Sequence, residues 1–231
     1  MSVATIPLQW LIPTSISNGF LFRCPLTLKQ LVKDDICSTY FRQLLKVVEI
    51  DYNIRDFHLE LQQQSSLDLY IYYKDSKEKQ GPHRTTVCIS CDKTTELFSI
   101  TLISEQQHTR AWFDGRNRPK LILTPIRHLH RLSEMTDKEF SSFWFDAVTL
   151  ADREFGDEIW SSMIVNHGVY RTHEHLHLKI NFDKRVWQKA VQNWSEERKD
   201  KIQEMQQLLE QKDIYEKCFG SKKTNKYGGK I

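Results

Sequence analysis

Three histidines stand at alternate positions in His173-Glu174-His175-Leu176-His177-Leu178. In an extended strand, side chains alternate between faces. The three imidazoles would then share one face at intervals of roughly 6.5–7 Å, with Leu176 and Leu178 turned to the core. A row of imidazoles suits two tasks. It can ligate a metal, or it can present a neutral ring nitrogen to phosphorus while neighbouring donors hold the phosphate oxygens. A metal site on a strand usually recruits a carboxylate or histidine from a separate element, and no further spaced set of that kind is evident. The spacing therefore favours covalent phosphoryl or nucleotidyl chemistry with no metal and no cofactor; an inert or purely binding relic of such a site stays open.

Other residues carry weaker signals. Cys88-Ile89-Ser90-Cys91 falls in an expected strand, Thr85–Cys91, where alternation would send the two thiols to opposite faces, so ordinary packing is the reading. Asn166 precedes the triad and could hydrogen-bond a phosphate or serve as a turn residue. His130 is expected in solvent, and His58, His83, His108 and His167 show no partner spacing. Arg116-Asn117-Arg118-Pro119-Lys120 and the lysine-bearing tail 220–231 read as solvated basic segments, with polyphosphate or nucleic-acid steering as the functional option. No P-loop and no G-x-G-x-x-G occurs.

Several elements would position the triad. Residues 26–49 have apolar positions at helical spacing. Phe57–Leu61, Leu67–Tyr73, Thr85–Cys91, Leu97–Ile103 and Leu121–Leu123 then read as strands of a mostly antiparallel sheet. Residues 136–155 return to helix, opened by the Thr136/Glu139 capping pair and closed at Gly156. Trp160–Val165 and Thr172–Phe182 read as a further strand pair. The segment 184–217 reads as helical, in two pieces, with Ser195 capping the second. The 231 residues include 39% hydrophobic and 11% aromatic side chains, which excludes global disorder. A net charge of +3 gives no whole-protein case for nucleic-acid binding. The five cysteines form an odd set in a chain this long, which favours a reduced, intracellular setting, cytoplasmic and nuclear being indistinguishable. No apolar run reaches membrane-spanning length.

His-x-His-φ-His-φ at the end of a small antiparallel sheet resembles the signature of the histidine-triad family. So does the upstream segment Phe113-Asp114…Pro119-Lys120-Leu121-Ile122-Leu123-Thr124-Pro125-Ile126-Arg127-His128, with its Pro-x-x-His ending. The match covers roughly residues 95–183. The resemblance implies an α+β fold with a five-stranded antiparallel sheet, and nucleotide hydrolase or transferase chemistry at an α-phosphate through a nucleotidyl-histidine intermediate. It implies His175 as nucleophile, His177 as the α-phosphate contact, and His173 and His128 as the pair that orients the site. Asn166 and Thr172 would bind substrate. In the length of the loop before the triad the chain is most similar to the aprataxin branch. Glu174, Lys179 and Tyr170 depart from the family pattern.

The expected organisation is a helical N-terminal extension over 1–66, a histidine-triad-like domain over 67–183, and a helical C-terminal extension with a basic tail over 184–231. The expected partner is a nucleotide or nucleotide conjugate. Nucleic acid is only weakly indicated, a membrane is not expected, and a homodimer is compatible with the resemblance. The alternative function is a non-catalytic module that binds a nucleotide or a protein.

Overall fold

The computed structural model describes residues 6–74, 81–82, 88–94, 102–114, 118–156 and 160–211. The basic tail, Arg116, Asn117, His83, residues 85–87 of the expected strand Thr85–Cys91 and residues 97–101 of the expected strand Leu97–Ile103 lie outside them.

The described chain is α+β, and one antiparallel sheet organises it. Its strands are β1 (Thr14–Ile16), β2 (Gly19–Cys24), β3 (His58–Gln63), β4 (Leu67–Tyr72), β5 (Leu102–Glu105), β6 (Thr109–Phe113), β7 (Lys120–Pro125), β8 (Ser162–Asn166) and β9 (Leu178–Asn181), in the spatial order β1-β2-β4-β3-β8-β9-β7-β6-β5. The sheet thus has nine strands among the described residues, where the resemblance implied five. Three of the nine come from the segment expected as a helical extension. β1 and β2 escaped the sequence reading because they alternate weakly: β2, Gly-Phe-Leu-Phe-Arg-Cys, is buried on both faces apart from Arg23.

One face of the sheet carries Phe22, Leu59, Leu61, Leu69, Val165, Leu178, Ile180, Leu121 and Leu123, all buried. Helices α1 (Leu28–Lys33), α2 (Cys37–Lys46) and α3 (Asp137–Phe155) pack with this core. Helix α3 matches its sequence signature. Thr136 and Glu139 form a reciprocal capping box, Phe140, Phe143, Trp144, Ala147 and Ala151 are buried, and Gly156 ends it at φ +72°. Phe41 of α2 stacks on Trp144 with centroids 4.2 Å apart. Helices α4 (Lys184–Gln192) and α5 (Glu196–Glu210) follow β9, and Ser195 caps the second as expected. No described helix is long and apolar enough to cross a membrane.

The other face of the sheet carries a mixed polar and apolar set of side chains. Strand register lines up Leu21, Tyr70, Glu60, Ile164, Lys179, Ile122 and Trp112 in one row across seven strands. The next row contains Tyr72, His58 and Asn166. Val165 pairs with Leu178, and Leu178 with Leu123. One residue beyond these last pairs, in the three segments, come Asn166, His177 and Thr124.

Candidate active and metal-ligating site

The triad is only partly a strand. Residues 172–175 bend, and ladder pairing begins at Leu178. Strict alternation therefore fails at His173 and His175, and the histidines divide into two pairs. His128 and His175 have ring centroids 4.7 Å apart, and His173 and His177 5.4 Å. Leu176 and Leu178 are fully buried, as alternation predicted. A backbone bond from Leu176 N–H to the Leu129 carbonyl at 2.7 Å ties the triad segment to the loop that carries His128.

His175 is engaged through both ring nitrogens. Nε2 lies 2.9 Å from the Pro125 carbonyl, which can only accept, so Nε2 carries the proton. Nδ1 then offers its lone pair toward the Cys88 and Cys91 sulfurs, at 3.4 and 3.3 Å. His128 Nδ1 lies 3.3 Å from Cys91 Sγ. One ligand atom from each of Cys88, Cys91, His128 and His175 lies within 4.8 Å of the others.

Two thiols and two imidazoles form the donor set of a closed tetrahedral zinc site. With Zn–S near 2.3 Å and Zn–N near 2.0 Å, tetrahedral geometry separates S and N ligand atoms by about 3.5 Å. The observed contacts fit that separation. The carbonyl behind His175 supplies the outer hydrogen bond that metal-binding imidazoles usually have. One thiol leans the same way: the hydrogen bond from Cys91, then the His175 ring, hold Cys88 well below the usual thiol range, while without a metal Cys91 is pushed up as the partner that keeps the proton.

This constellation departs from the expected absence of a metal site. Cys88–Cys91 is a turn, with the Cys91 and Asp92 N–H groups both bonded to the Cys88 carbonyl at 2.9 Å. The thiols therefore converge rather than pointing to opposite faces. Buried Arg110 braces the turn by donating to the Ser90 carbonyl at 2.9 Å. The available signal was C-x-x-C together with Pro125-x-x-His128 and the triad, read as one set instead of separately.

His177 meets the condition for a nucleophile. Its Nδ1–H donates to the His175 carbonyl at 3.0 Å, and Nε2 is buried with no hydrogen-bond partner among the described residues. Burial, with a smaller contribution from the nearby Lys179 charge, holds its pKa well below the usual histidine value. The ring is neutral near neutral pH. At His175, by contrast, no ring nitrogen is left free.

The remaining expected residues divide. Asn166 is buried on the face shared with His177, whereas Thr172 is exposed. Glu174 is only partly buried, and its backbone carbonyl accepts from Arg171. Arg127 pairs with Glu139 at 2.8 Å.

No protein-family model and no curated protein matches the chain. Among solved structures, a uridylyltransferase aligns with TM-score 0.51 at 14% identity, covering 84% of this chain and 80% of its own. A uridylyltransferase mutant aligns with TM-score 0.50 at 14% identity, over 80% and 79%. An ADP-glucose phosphorylase from Arabidopsis thaliana, with bound ADP-glucose, aligns at 0.47 and 14%, over 79% and 76%. The chain shares its fold with the uridylyltransferase structures. The similarity expected to the aprataxin branch finds no support among these neighbours.

Proposed function

We propose that the protein transfers nucleotidyl groups from a nucleotide conjugate through a covalent adduct on His177. The observation that carries this reading is the state of the His177 ring: neutral, held through Nδ1–H by a backbone carbonyl, with Nε2 unpartnered among the described residues. The uridylyltransferase fold supports the same reaction class. Nε2 attacks the α-phosphorus. A P–N bond forms as the P–O bond to the leaving group breaks, and its electron pair departs on that oxygen. An acceptor phosphate oxygen then attacks phosphorus, and the P–N pair returns to Nε2. With water as acceptor, its proton passes to solvent and the outcome is hydrolysis.

Lys179, on the same face two residues on, adds positive charge where the phosphoryl oxygens gain negative charge. His175 and His128, assigned by the resemblance to attack and orientation, become ligands with Cys88 and Cys91. A zinc ion held there would clamp the Cys turn, the Pro125–His128 segment and the triad together. It would serve as a structural brace, since all four positions of a tetrahedral ion are filled by protein.

The test is adduct trapping by intact-protein mass spectrometry after brief exposure to nucleoside diphosphate sugars, nucleoside phosphoramidates, dinucleoside polyphosphates and adenylated nucleic-acid ends. An acid-labile nucleotidyl adduct, absent from His177→Ala, is the expected result. Wild-type protein that binds nucleoside monophosphates yet forms no adduct with any of the four classes would overturn the enzyme reading in favour of a binding module.

A further inference from the structure

We infer that His58, backed by Glu60, fixes the Asn166 carboxamide so that its NH2 group donates to the phosphate held beside His177, which makes His58 a positioning residue for the reaction. The inference rests on the proposed nucleotidyl chemistry and adds to it two side chains that the triad does not include.

Strands β3 and β8 pair so that His58 stands opposite Asn166 on the sheet face away from the helices. His58 Nδ1 lies 2.8 Å from Asn166 Oδ1. A carboxamide has one accepting and one donating end, and the oxygen accepts only if the ring nitrogen carries the proton. With Oδ1 committed to that N–H, the NH2 end remains for a ligand. An unbraced asparagine can rotate and present either end; toward a phosphate the oxygen end is repulsive and the nitrogen end attractive.

The ring is itself held. Its Nε2 faces Glu60 Oε2 at 3.6 Å, and the Tyr72 ring lies 5.7 Å away, tilted against it. Gln62 donates to the other Glu60 oxygen at 3.0 Å. His58 and, after it, Gln62 keep the Glu60 carboxyl below its ordinary range, so it is anionic, and it holds the ring in this orientation with a proton on both ring nitrogens. The chain Gln62–Glu60–His58–Asn166 ends one residue beyond the Val165–Leu178 pair, as His177 does on the neighbouring segment.

The experiment measures binding of uridine and adenosine monophosphate by calorimetry, and kcat/KM for adduct formation, in wild type, His58→Phe, Asn166→Ala and the double variant. His58→Phe keeps a ring against Tyr72 and loses the donor. It should weaken both readouts about 10-fold, the scale of one hydrogen bond made to a charged group. In the Asn166→Ala background the same change should do nothing further, because His58 acts only through the amide. His58→Gln, which keeps an N–H donor, should restore most of the loss. Unchanged binding and kcat/KM in His58→Phe, or a loss of equal size with and without Asn166, overturns the inference. If wild type forms the adduct, that failure leaves the proposed function standing. If wild type forms no adduct but binds monophosphates, the function fails, and the binding cycle still decides the role of His58.

Discussion

Gly168 and Asp56 leave no room between them for a side chain at position 168. The carboxylate whose oxygen accepts from the Val169 N–H at 3.1 Å occupies the space a Cβ would need. Gly168 also sits at φ +56°, where an L side chain is strained. Gly168→Ala should therefore cost about 2–3 kcal/mol, combining left-handed strain with displacement of Asp56. Urea unfolding followed by tryptophan fluorescence measures it; a cost below about 0.5 kcal/mol would show that the loop before the triad is not pinned here.

The two histidines at the heart of the site should fail in different ways. His177→Ala should abolish adduct formation and keep its metal content. His175→Ala should lose the metal and, with it, the order of the Cys turn. Elemental analysis of untagged protein, paired with adduct trapping, separates the two; equal metal loss in both variants would contradict the division of labour.

Chelation provides a third test. If Cys88, Cys91, His128 and His175 hold zinc, a strong chelator should lower the thermal midpoint by several degrees, and added zinc should reverse the change. Cys91→Ser should have the lower midpoint from the outset and respond little to either treatment.

His167 makes stability depend on pH. It is fully buried against Phe57, and burial, then the Arg131 and Arg171 charges, lowers its pKa to about 3 from an ordinary value near 6.5. The unfolded chain therefore takes up a proton first as pH falls. The stabilisation is complete above pH 6.5 and drains away toward pH 3, at up to about 1.4 kcal/mol per unit. His167→Phe should flatten that slope in unfolding curves recorded from pH 7 to pH 5, whatever it does to stability at pH 7.

Glu139 acts in a lower window. The Arg127 pair and the bonds to Thr136 hold its pKa at about 2, below the ordinary 4.5. Glu139→Gln keeps the cap geometry but not the charge. It should cost roughly 0.5–1 kcal/mol at neutral pH, and the difference from wild type should close as pH falls from 4.5 toward 2. A difference that does not change over that range would assign the effect to packing.

The sequence made some of this legible and hid the rest for identifiable reasons. Helix α3 could be read to the residue because capping pair, apolar stripe and terminal glycine all agree locally. The triad was recognisable by spacing, but the division of roles within it was not. That depends on the bend over residues 172–175 and on which carbonyl each ring faces, Pro125 for His175 and His175 for His177. The Cys pair was misjudged because strand alternation was applied to a turn. His58 was passed over because its partner Asn166 is 108 residues away and meets it only through strand pairing.

Strand β9 is short, yet it lies between β8 and β7, paired on both sides, and is the first regular structure after His177. A strand so enclosed cannot fray from an edge; freeing it requires breaking the middle of the sheet. Amide protons of Leu178 and Ile180 should consequently exchange with solvent only as fast as the whole domain opens. The protein would then have no partly melted state in which the sheet survives and strand β9 alone is lost.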